Sequence, residues 1–571
     1  MRRLLASSLT GAVLGGLLVA AAPALPAHAA LPPYYAVERL SIGGSEPNGE
    51  STDPVLADGG NHVAFASTSS NLVAGDGNGT SDVFVRNLTT GAVARVSLDA
   101  AGAEGAGASF GPSISADGRF VAFVSDFELD PLDENAVADV YVRDRDADAD
   151  GIFDEAAPAS TTTRVSTEAG LEVENDVTGA RISANGQWIA IVTDFAFVNA
   201  DQNESDDVYV REVVGDDTMV HISKSTVVDG GGGDLATISA NGRFVGFRTF
   251  SFDINPGRVS GYYVRDRDFD ADGIFDEGAG TAQNVQVMSN PVPNANVARF
   301  VSYAAMSANG RFVSFTGNGT DLVPGAINNS LYLRDRDTDA DGIYDEVGGV
   351  SLTIASKSTT GTVAPGSRPA FSPDGRYLTF ESPFTGLAPA DEPGLDVFVR
   401  DRTLNTTTRM NVRPSNLSSN GSNFAGGVDD AGNTVFASTG TNLGPTGGGD
   451  AKSDVFRTTL TVAPPNTFTV RLSEADYANA VTTAAFFGLT VDQLPSNGAF
   501  VLAYLFGVLG GETLGALGPV DNNGPVVIHS TLSAADAATI NTAADWVESD
   551  GDSVSLTGTG FLIFIKGLIG G

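Results

Sequence analysis

A short hairpin motif recurs along this chain and limits its folds more than any other feature. Each copy places Asn-Gly or Asp-Gly between two short apolar runs, as in ARISANGQWIAIVT at 180–193. This is the strongest local sign of a β-hairpin, because both turn residues need a positive φ. Clear copies lie at 111–125, 180–193, 236–249, 305–317 and 369–382, and looser copies lie at 54–67 and 427–439.

Two further apolar segments follow most of these hairpins, so the repeating unit contains four predicted strands. The third strand has the form DVYVR, as at 139–143, and the fourth is shorter, as in ARVS at 94–97. Four strands repeated at intervals of roughly 55–70 residues are typical of a β-propeller.

The number of blades follows from the count of strands. Strands one to three occur seven times, but the seventh unit has no obvious fourth strand. The segment VERLS at 37–41 matches the fourth-strand pattern and would close the ring without a free sheet edge. The predicted fold class is all-β, with a seven-bladed β-propeller over residues 30–462 that an N-terminal strand completes.

These repeats resemble those of the TolB-like or WD40-like (PD40) propeller family. The family pattern S-P-D-G-x-x-[IL]-x-F appears at 372–380, and D-[IV]-[FYW]-V appears at 396–399. The resemblance covers roughly residues 35–460 and implies a binding scaffold, a partner in complexes or an appendage of an enzyme. Peptidases that carry such propellers add an α/β-hydrolase domain, for which the tail at 467–571 is too short.

The first 29 residues are predicted to be a signal peptide. A basic pair at 2–3 precedes an apolar run over 4–22, and AHA at 27–29 offers a small-x-small cleavage site. No later apolar stretch reaches the roughly 18 residues that a membrane span requires. We expect a secreted or cell-surface-associated protein.

Composition excludes several classes of function. The chain has no cysteine, which removes disulfides, zinc–thiolate sites and thiol chemistry. Its formal net charge of −38 argues against nucleic acid or an anionic membrane as a partner. The expected partner is an extracellular protein or a glycan.

Three acidic segments of nearly identical sequence interrupt the repeats. They are RDRDADADGIFDE at 143–155, RDRDFDADGIFDE at 265–277 and RDRDTDADGIYDE at 334–346. Each lies between a third and a fourth strand, where it lengthens one hairpin. Alternate Asp residues before a turn that glycine permits can converge on one point, and Ca²⁺ prefers such oxygen ligands.

The predicted ligands of each segment are three alternate Asp residues, the carbonyl of the Ile after the Gly, and the acidic pair that follows. They are Asp146, Asp148, Asp150, Ile152, Asp154 and Glu155; Asp268, Asp270, Asp272, Ile274, Asp276 and Glu277; and Asp337, Asp339, Asp341, Ile343, Asp345 and Glu346.

This pattern is similar to the first half of an EF-hand loop. Ala157, Ala279 and Gly348 stand where an EF-hand has its bidentate Glu, so the acidic pair would supply the missing oxygens. Affinity for Ca²⁺ is expected at the weak extracellular end, about 10⁻⁴–10⁻³ M. We interpret the ion as structural, and the alternative is a solvated acidic hairpin without a cation.

A second acidic pattern, D-x-N-x-x-x-D, precedes three of the third strands. It occurs at 76–82, 133–139 and 201–207. These segments could hold further cations, but Asp and Asn also form turns by bonding to their own backbone. We favour the turn interpretation.

Catalytic motifs are scarce. GASFG at 107–111 matches the nucleophile elbow G-x-S-x-G, but a strand and a hairpin follow it where the elbow needs a helix. His62, His221 and His529 are the histidines beyond the signal peptide, and none has a motif-like setting. The favoured function is a secreted calcium-binding scaffold. The alternative is an exported hydrolase or lyase that acts on polysaccharide or peptide through carboxylates in the channel.

The C-terminal segment 467–571 contains a tandem duplication, in which 468–511 aligns without gaps to 528–571. Each unit has a predicted strand, FTVRL at 468–472 or VVIHS at 526–530, and then a helix with Ser at its N-cap. We predict a small α+β module whose two units pair about a pseudo-twofold axis.

Overall fold

A computed structural model describes most residues from 34 to 461 and four strands beyond them. The described ranges are 34–133, 135, 137–168, 171–172, 177–198, 205–224, 232–251, 254, 261–276, 283–286, 300–388, 393–412, 419–443, 452–461, 467–472, 526–531, 547–549 and 553–556. The predicted signal peptide lies outside them. Within these ranges the chain forms strands and turns, and no helix suited to crossing a membrane occurs there.

Seven four-stranded antiparallel sheets form the propeller, and we number them blades 1 to 7. Strands are labelled A to D from the central channel outwards. The A strands are Ser51–Leu56, Ser109–Ile114, Val177–Ile182, Asp234–Ile238, Val301–Met306, Ser367–Phe371 and Asn423–Val428. The B strands are His62–Ser67, Phe120–Ser125, Trp188–Thr193, Phe244–Thr249, Phe312–Gly317, Tyr377–Ser382 and Thr434–Ser438.

The outer strands are the third and fourth of each blade. The C strands are Asp82–Asn87, Asp139–Asp144, Asp207–Glu212, Gly261–Asp266, Ser330–Asp335, Asp396–Asp401 and Asp454–Thr461. The D strands of blades 1 to 6 are Val93–Arg95, Thr161–Arg164, Val220–His221, Gln283–Gln286, Ser351–Ile354 and Thr406–Arg409. A two-residue pair, Thr167–Glu168 with Leu171–Glu172, follows blade 2.

The N-terminal strand Tyr34–Arg39 is the D strand of blade 7, and we call it the closing strand. It pairs antiparallel with strand C of that blade, with Val37 opposite Thr458. Leu40 is fully buried just after it, and its N–H donates to the carbonyl of Val455 at 2.7 Å. The predicted closure and the predicted seven blades are therefore confirmed.

The core is built from one repeated cross-strand aromatic pair. In six blades a Phe of strand B lies directly opposite an aromatic residue of strand C, with ring centroids between 5.4 Å (Phe315 and Tyr332) and 6.1 Å (Phe123 and Tyr141). In blade 3 Tyr209 instead stacks on His221 at 4.9 Å. Directly opposed aromatic residues stabilise neighbouring strands, so the alternating pattern of each unit produces a buried layer between blades.

The AB turns of neighbouring blades are joined by backbone hydrogen bonds. The N–H of Gly59 donates to Ala116 at 3.0 Å, and that of Ala116 donates to Ala184 at 2.8 Å. The N–H of Ala240 donates to Ala308 at 2.7 Å. Because successive strands alternate in direction, the CD loops lie at the same end as these turns. We call this end the turn face and the opposite end the entrance face.

The C-terminal strands Thr467–Leu472, Val526–Thr531, Val547–Ser549 and Ser553–Leu556 form one sheet. The first two pair antiparallel, and the register centres on Thr469 opposite His529. These two residues are equivalent in the duplication, so the pairing has the predicted pseudo-twofold arrangement. The last two strands form a hairpin that the sequence did not predict. The predicted helices fall outside the described residues.

Candidate functional site

The A strands surround a central channel that contains a cavity of about 300 Å³. Each AB turn contains a glycine with positive φ, such as Gly186 in blade 3. In every blade, the residue five positions before this glycine lines the cavity. These residues are Val55, Ser113, Arg181, Thr237, Ala305, Ala370 and Gly427. Arg181 is the one charged member of this layer, and the other six leave space for its long side chain.

Arg181 reaches into the channel from strand A of blade 3. Its side chain contacts the water of the channel, but the channel wall surrounds it on all sides. The resulting partial desolvation lowers the pKa of the guanidinium. One terminal nitrogen donates to the carbonyl of Ala180 at 2.8 Å. No carboxylate of the described residues lies within salt-bridge distance, and Asp53, near the entrance face, acts on Arg181 through space. The guanidinium therefore keeps donors that face the cavity.

The next layer towards the turn face is apolar in all seven blades. It consists of Leu56, Ile114, Ile182, Ile238, Met306, Phe371 and Val428.

Two carboxyl groups of adjacent blades approach each other at the turn face. Asp58 of blade 1 is open to water in the channel but surrounded by the neighbouring turns, and this partial desolvation, together with the charge of Asp430 in blade 7, raises the pKa of Asp58 to about 6. Asp430 accepts a hydrogen bond from the N–H of Asp374 at 2.9 Å. The turn-face end of the channel therefore carries two acidic side chains.

Arg368 projects at the entrance face from an irregular point in strand A of blade 6. Its φ of 44° lies in the left-handed region, and the register with strand B shifts between Ser367 and Ala370. Such bulges re-aim side chains and are frequent beside functional sites. The guanidinium carbon lies 6.0 Å from the ring centre of Tyr303 and 5.4 Å from that of Phe424.

Glu381 lies beneath Arg368 in strand B of the same blade and is only 3% exposed. One carboxylate oxygen accepts the N–H of Ala425 at 2.9 Å and lies 3.7 Å from Nε of Arg368. Burial raises the pKa of Glu381 to about 7. This carboxyl group can therefore gain or lose a proton near neutral pH.

In strand B of blade 4, Arg248 occupies the position that Glu381 has in blade 6. It forms a bidentate pair with Asp234, donates to the carbonyl of Val301 at 2.7 Å, and lies over the rings of Phe250 and Phe300 at 5.0 and 5.7 Å. Four phenylalanines at this face are 36–55% exposed: Phe110, Phe250, Phe300 and Phe384. The entrance face therefore combines fixed arginines with exposed aromatic rings.

Sequence analysis did not single out these channel and entrance residues, although a signal was present. With the seven units aligned on the turn glycine, blade 3 has Arg181 where the other blades have small uncharged residues. In the B strands, Arg248 and Glu381 replace the Ala, Val or Thr of the other blades. The other blades pack with uncharged residues at these positions, so packing does not require the charge. A charged residue in one unit of a repeat therefore indicates a candidate functional position.

The three alternate Asp residues of each acidic segment come together in the structure. In each loop their carboxylate oxygens lie within 4.8 Å of one another, in the groups Asp146, Asp148 and Asp150; Asp268, Asp270 and Asp272; and Asp337, Asp339 and Asp341. The first Asp of each group is buried and the other two are exposed. We call these the Asp groups.

Hydrogen bonds to the backbone hold the first Asp of each group in place. Asp146 accepts the N–H of Asp150 at 3.0 Å and that of Gly151 at 3.1 Å. The same bonds recur in the other two loops. The N–H of Ile152 donates to Asp150 at 2.8 Å, with counterparts at Ile274 and Ile343. Glycine-permitted turns therefore set the spacing of the carboxylates.

The two members of the acidic pair that follows take different positions. Asp154, Asp276 and Asp345 lie outside the Asp groups, because each pairs with a buried arginine that needs a counter-charge. The partners are Arg145, Arg267 and Arg336, with Nε to carboxylate distances of 2.8, 2.7 and 2.7 Å.

The second member of the pair takes a different position. Glu346 is partly exposed, and the negative charge of Asp341 raises its pKa, so it faces the Asp group of its loop. Glu155 likewise lies within the influence of its own Asp group. Glu277 lies outside the described residues.

The same arginines clamp each acidic loop to the preceding blade. Arg267 of blade 4 donates to the carbonyl of Gly242 at 2.8 Å and lies 4.1 Å from the ring centre of Trp188 in blade 3. Phe275 of the loop packs on Trp188 with centroids 5.4 Å apart. We call this contact the loop clamp. Counterparts join Phe153 to His62 and Tyr344 to Phe244.

The D-x-N-x-x-x-D segments behave mainly as turns. Asn78 accepts the N–H of Thr80 at 3.0 Å, as in an Asx turn. Arg95 lies 3.6 Å from both Asp76 and Asp82 and forms a closer pair with Glu104, so a guanidinium supplies the positive charge. In the second segment Arg164 has the same role. Part of the third, 201–204, lies outside the described residues.

A buried Ser, His and Asp set in blade 3 is structural. His221 Nε2 lies 2.7 Å from Asp207, and Ser223 donates to the same carboxylate oxygen. In a catalytic triad the Asp and the Ser contact different ring nitrogens of the His, whereas here Nε2 of His221 faces both Asp207 and, at 3.4 Å, Ser223. All three are at most 7% exposed. Ser109 of GASFG is buried within a strand, so the match to the nucleophile elbow is coincidental.

No protein-family model matches the chain, and no curated protein matches it. Solved structures with a similar fold include the β-propeller domain of the Trilobed protease from Pyrococcus furiosus. It is 12% identical, with a TM-score of 0.39 over 72% of this chain and 95% of that one. TolB from Acinetobacter baumannii is 11% identical, with a TM-score of 0.32 over 64% of each chain.

Oligogalacturonate lyase from Vibrio parahaemolyticus is also similar. It is 10% identical, with a TM-score of 0.42 over 74% of this chain and 93% of that one. The similar structures thus include TolB, in line with the resemblance seen in the repeats. The strand topology itself establishes the seven-bladed propeller.

Proposed function

We propose that this protein is a binding propeller that works outside the cell, docks a polypeptide on its entrance face and is stabilised by Ca²⁺ in its acidic loops. The signal-peptide pattern at 1–29 supports the location. The entrance face carries the proposal for binding, through the exposed phenylalanines and the stacked Arg248 and Arg368.

This surface has the composition of a recognition site. Aromatic residues and arginine are enriched where proteins bind one another and supply most of the binding energy. Arg248 and Arg368 are held in place by neighbouring rings and carboxylates, so binding immobilises little further side-chain freedom. A cavity of about 300 Å³ admits an extended segment and not a folded domain.

The binding function is tested with an immobilised peptide library and Arg368→Ala. Peptides selected by the wild-type protein should bind this variant about 10- to 30-fold more weakly, because a central arginine is lost. Arg376→Ala, in the same blade but on the turn face, is the matched control and should leave affinity unchanged. Equal affinity of wild type and Arg368→Ala would refute docking at this face.

The Ca²⁺ proposal rests on the convergence of carboxylates in the Asp groups. Two of the three side chains in each group are exposed and free to bind an ion, and the nearby Glu155 or Glu346 adds further oxygens. Five or six oxygens in a flexible loop suit Ca²⁺ better than Mg²⁺, which demands a near-ideal octahedron. The carbonyl of the following Ile stays a predicted ligand.

Calcium should raise the melting temperature measured by calorimetry. At about 10 mM Ca²⁺ and the weak affinity expected for such loops, each occupied site contributes about 1.4–2.7 kcal/mol to the free energy of unfolding. The combined variant Asp148→Asn, Asp270→Asn and Asp339→Asn should abolish the shift between calcium and chelator.

A charge-matched control separates ion binding from general repulsion. Glu50→Gln, Glu128→Gln and Asp217→Asn change the net charge equally, at exposed positions outside the Asp groups. This combination should keep the calcium shift. A wild-type melting temperature that is the same with calcium and with chelator would refute structural Ca²⁺.

A second candidate function is hydrolysis or elimination on a polysaccharide or peptide chain. Glu381 favours it, because a carboxyl group with a pKa of about 7 is suited to general acid or base catalysis. Products released by the wild-type protein and not by Glu381→Gln would decide for this candidate. Binding without turnover decides for the scaffold.

A further inference from the structure

We propose that Arg181 anchors a carboxylate inside the central channel and that the ligand is a carboxylate attached to an apolar body, such as the C-terminal residue of a peptide. This inference rests on the proposed binding function and names the chemical group that enters the channel. Carboxylate binding by Arg181 does not require the residues of the entrance face. Binding in the channel and docking at the entrance face can therefore be tested separately.

The first argument is the unused hydrogen-bonding capacity of Arg181. A guanidinium has five N–H donors in a planar fork that matches a carboxylate. One of its nitrogens donates to Ala180, and among the described residues no carboxylate is within salt-bridge distance. The remaining donors face a water-accessible cavity. An enclosed charge of this kind favours an anionic ligand, because water alone solvates it less completely there.

The second argument is the donor beside it. Ser113, in the same layer of the adjacent blade 2, accepts the N–H of Ile182 at 3.0 Å through its hydroxyl oxygen. Its own O–H is therefore directed elsewhere and can donate to a ligand. Thr237, on the other side in blade 4, is engaged with the hydroxyl of Tyr262 at 2.7 Å. Arg181 and Ser113 can thus bind the two oxygens of one carboxylate.

The third argument is the apolar layer next to Arg181. Seven apolar residues from Leu56 to Val428 line the cavity towards the turn face, and Ile238, Met306 and Phe371 are the partly exposed ones that a ligand can contact. This lining suits an aliphatic group and not the hydroxyl-rich body of a sugar, whose polar groups would lose their hydrogen bonds to water. Asp53 near the entrance and Asp58 at the far end disfavour a dianion such as phosphate. A monoanionic carboxylate with an apolar body fits both conditions.

The test is calorimetric titration with three small probes and inorganic phosphate. The probes are N-acetyl-leucine, which mimics a peptide C-terminus; N-acetyl-leucinamide, which lacks the charge; and hexanoate, an aliphatic carboxylate. The wild-type protein should bind N-acetyl-leucine at least about 10-fold more tightly than the amide. Arg181→Gln should bind the acid about 10- to 100-fold more weakly and lose the preference over the amide.

Two further variants make the result specific. Arg376→Gln removes the same charge on the turn face and should bind like the wild type. Arg181→Lys keeps the charge without the planar fork and should show intermediate affinity. The melting temperature of Arg181→Gln should stay close to that of the wild type, because the side chain faces the cavity and makes one hydrogen bond, to Ala180.

Several outcomes would overturn the proposal. They are equal affinity for the acid and the amide, unchanged affinity in Arg181→Gln, absence of binding by both carboxylates, and tighter binding of phosphate. N-acetyl-leucine binding more tightly than hexanoate identifies a peptide end, and equal affinities identify any aliphatic carboxylate. Arg368→Ala should bind N-acetyl-leucine normally while losing longer peptides. If it retains longer peptides while Arg181→Gln loses the acid, docking at the entrance face fails and the channel anchor stands.

Discussion

Removal of residues 34–41 should lower the melting temperature by on the order of 10 °C and cause the protein to self-associate. The deletion exposes strand C of blade 7, which pairs with six residues of the closing strand. It also removes the buried Leu40 and leaves Asp454 without its partners Arg39 and Ser41. Lost ladder hydrogen bonds and apolar burial together cost on the order of 5 kcal/mol or more.

A shorter deletion that ends at residue 33 is the control, because it keeps the closing strand. Calorimetry measures the stability, and size-exclusion chromatography measures the association through the exposed edge. Addition of a synthetic peptide with the sequence of 34–41 should restore the monomer in part. A monomeric 34–41 deletion with the wild-type melting temperature would show that the closing strand is dispensable.

Arg267→Met should lower the free energy of unfolding by about 3–5 kcal/mol, measured by denaturant titration. Arg267 is 1% exposed, and its loss leaves Asp276 without its close partner and removes the contact with Trp188. The double variant Arg267→Met, Asp276→Asn should regain part of this loss, because no uncompensated charge stays behind and Asn tolerates the positive φ of 57° at this position.

The control for Arg267 is Arg376→Met, which breaks a more exposed ion pair with Asp401 and should cost less than about 1 kcal/mol. Asp276→Asn then distinguishes the role of Asp276 as partner of Arg267 from a role as calcium ligand. Its cost should be equal in calcium and in chelator, since Asp276 binds Arg267 and lies outside its Asp group. If Asp276→Asn lowers the free energy of unfolding in calcium but not in chelator, Asp276 is a calcium ligand.

The architecture was accessible from the sequence because one hairpin motif recurs in seven units. Positive φ at a turn needs glycine, so Gly118 and Gly242 mark the same corner of different blades. The closing strand was found by the absence of a fourth strand in the last unit. Turn glycines and the alternation of apolar residues were therefore enough to predict the blades, because every unit repeats the same strands and turns.

The chemistry of the acidic loops was only partly accessible. Alternate Asp residues predicted the Asp groups, since their approach depends on a local turn. Asp154 pairs with Arg145 of the same segment, and the spacing of the acidic residues does not reveal that this arginine is buried beside Gly118 of the AB turn and needs a counter-charge. Arg181 and Glu381 were missed for a related reason: their significance appears only when the seven A or B strands are compared around one axis.

The loop clamps are unevenly distributed around the ring. In the described residues they cross the junctions of blades 1 with 2, 3 with 4, and 4 with 5, and Arg402 makes a similar contact between blades 6 and 5. Each of the three junctions from blade 3 to blade 6 therefore has such a contact, whereas the described residues of the other arc, which includes the N-terminal closure, have one. Arg248, Arg368 and Glu381 all lie between blades 3 and 6. The surface proposed to hold the ligand thus belongs to the blades that these aromatic and arginine contacts join without a gap.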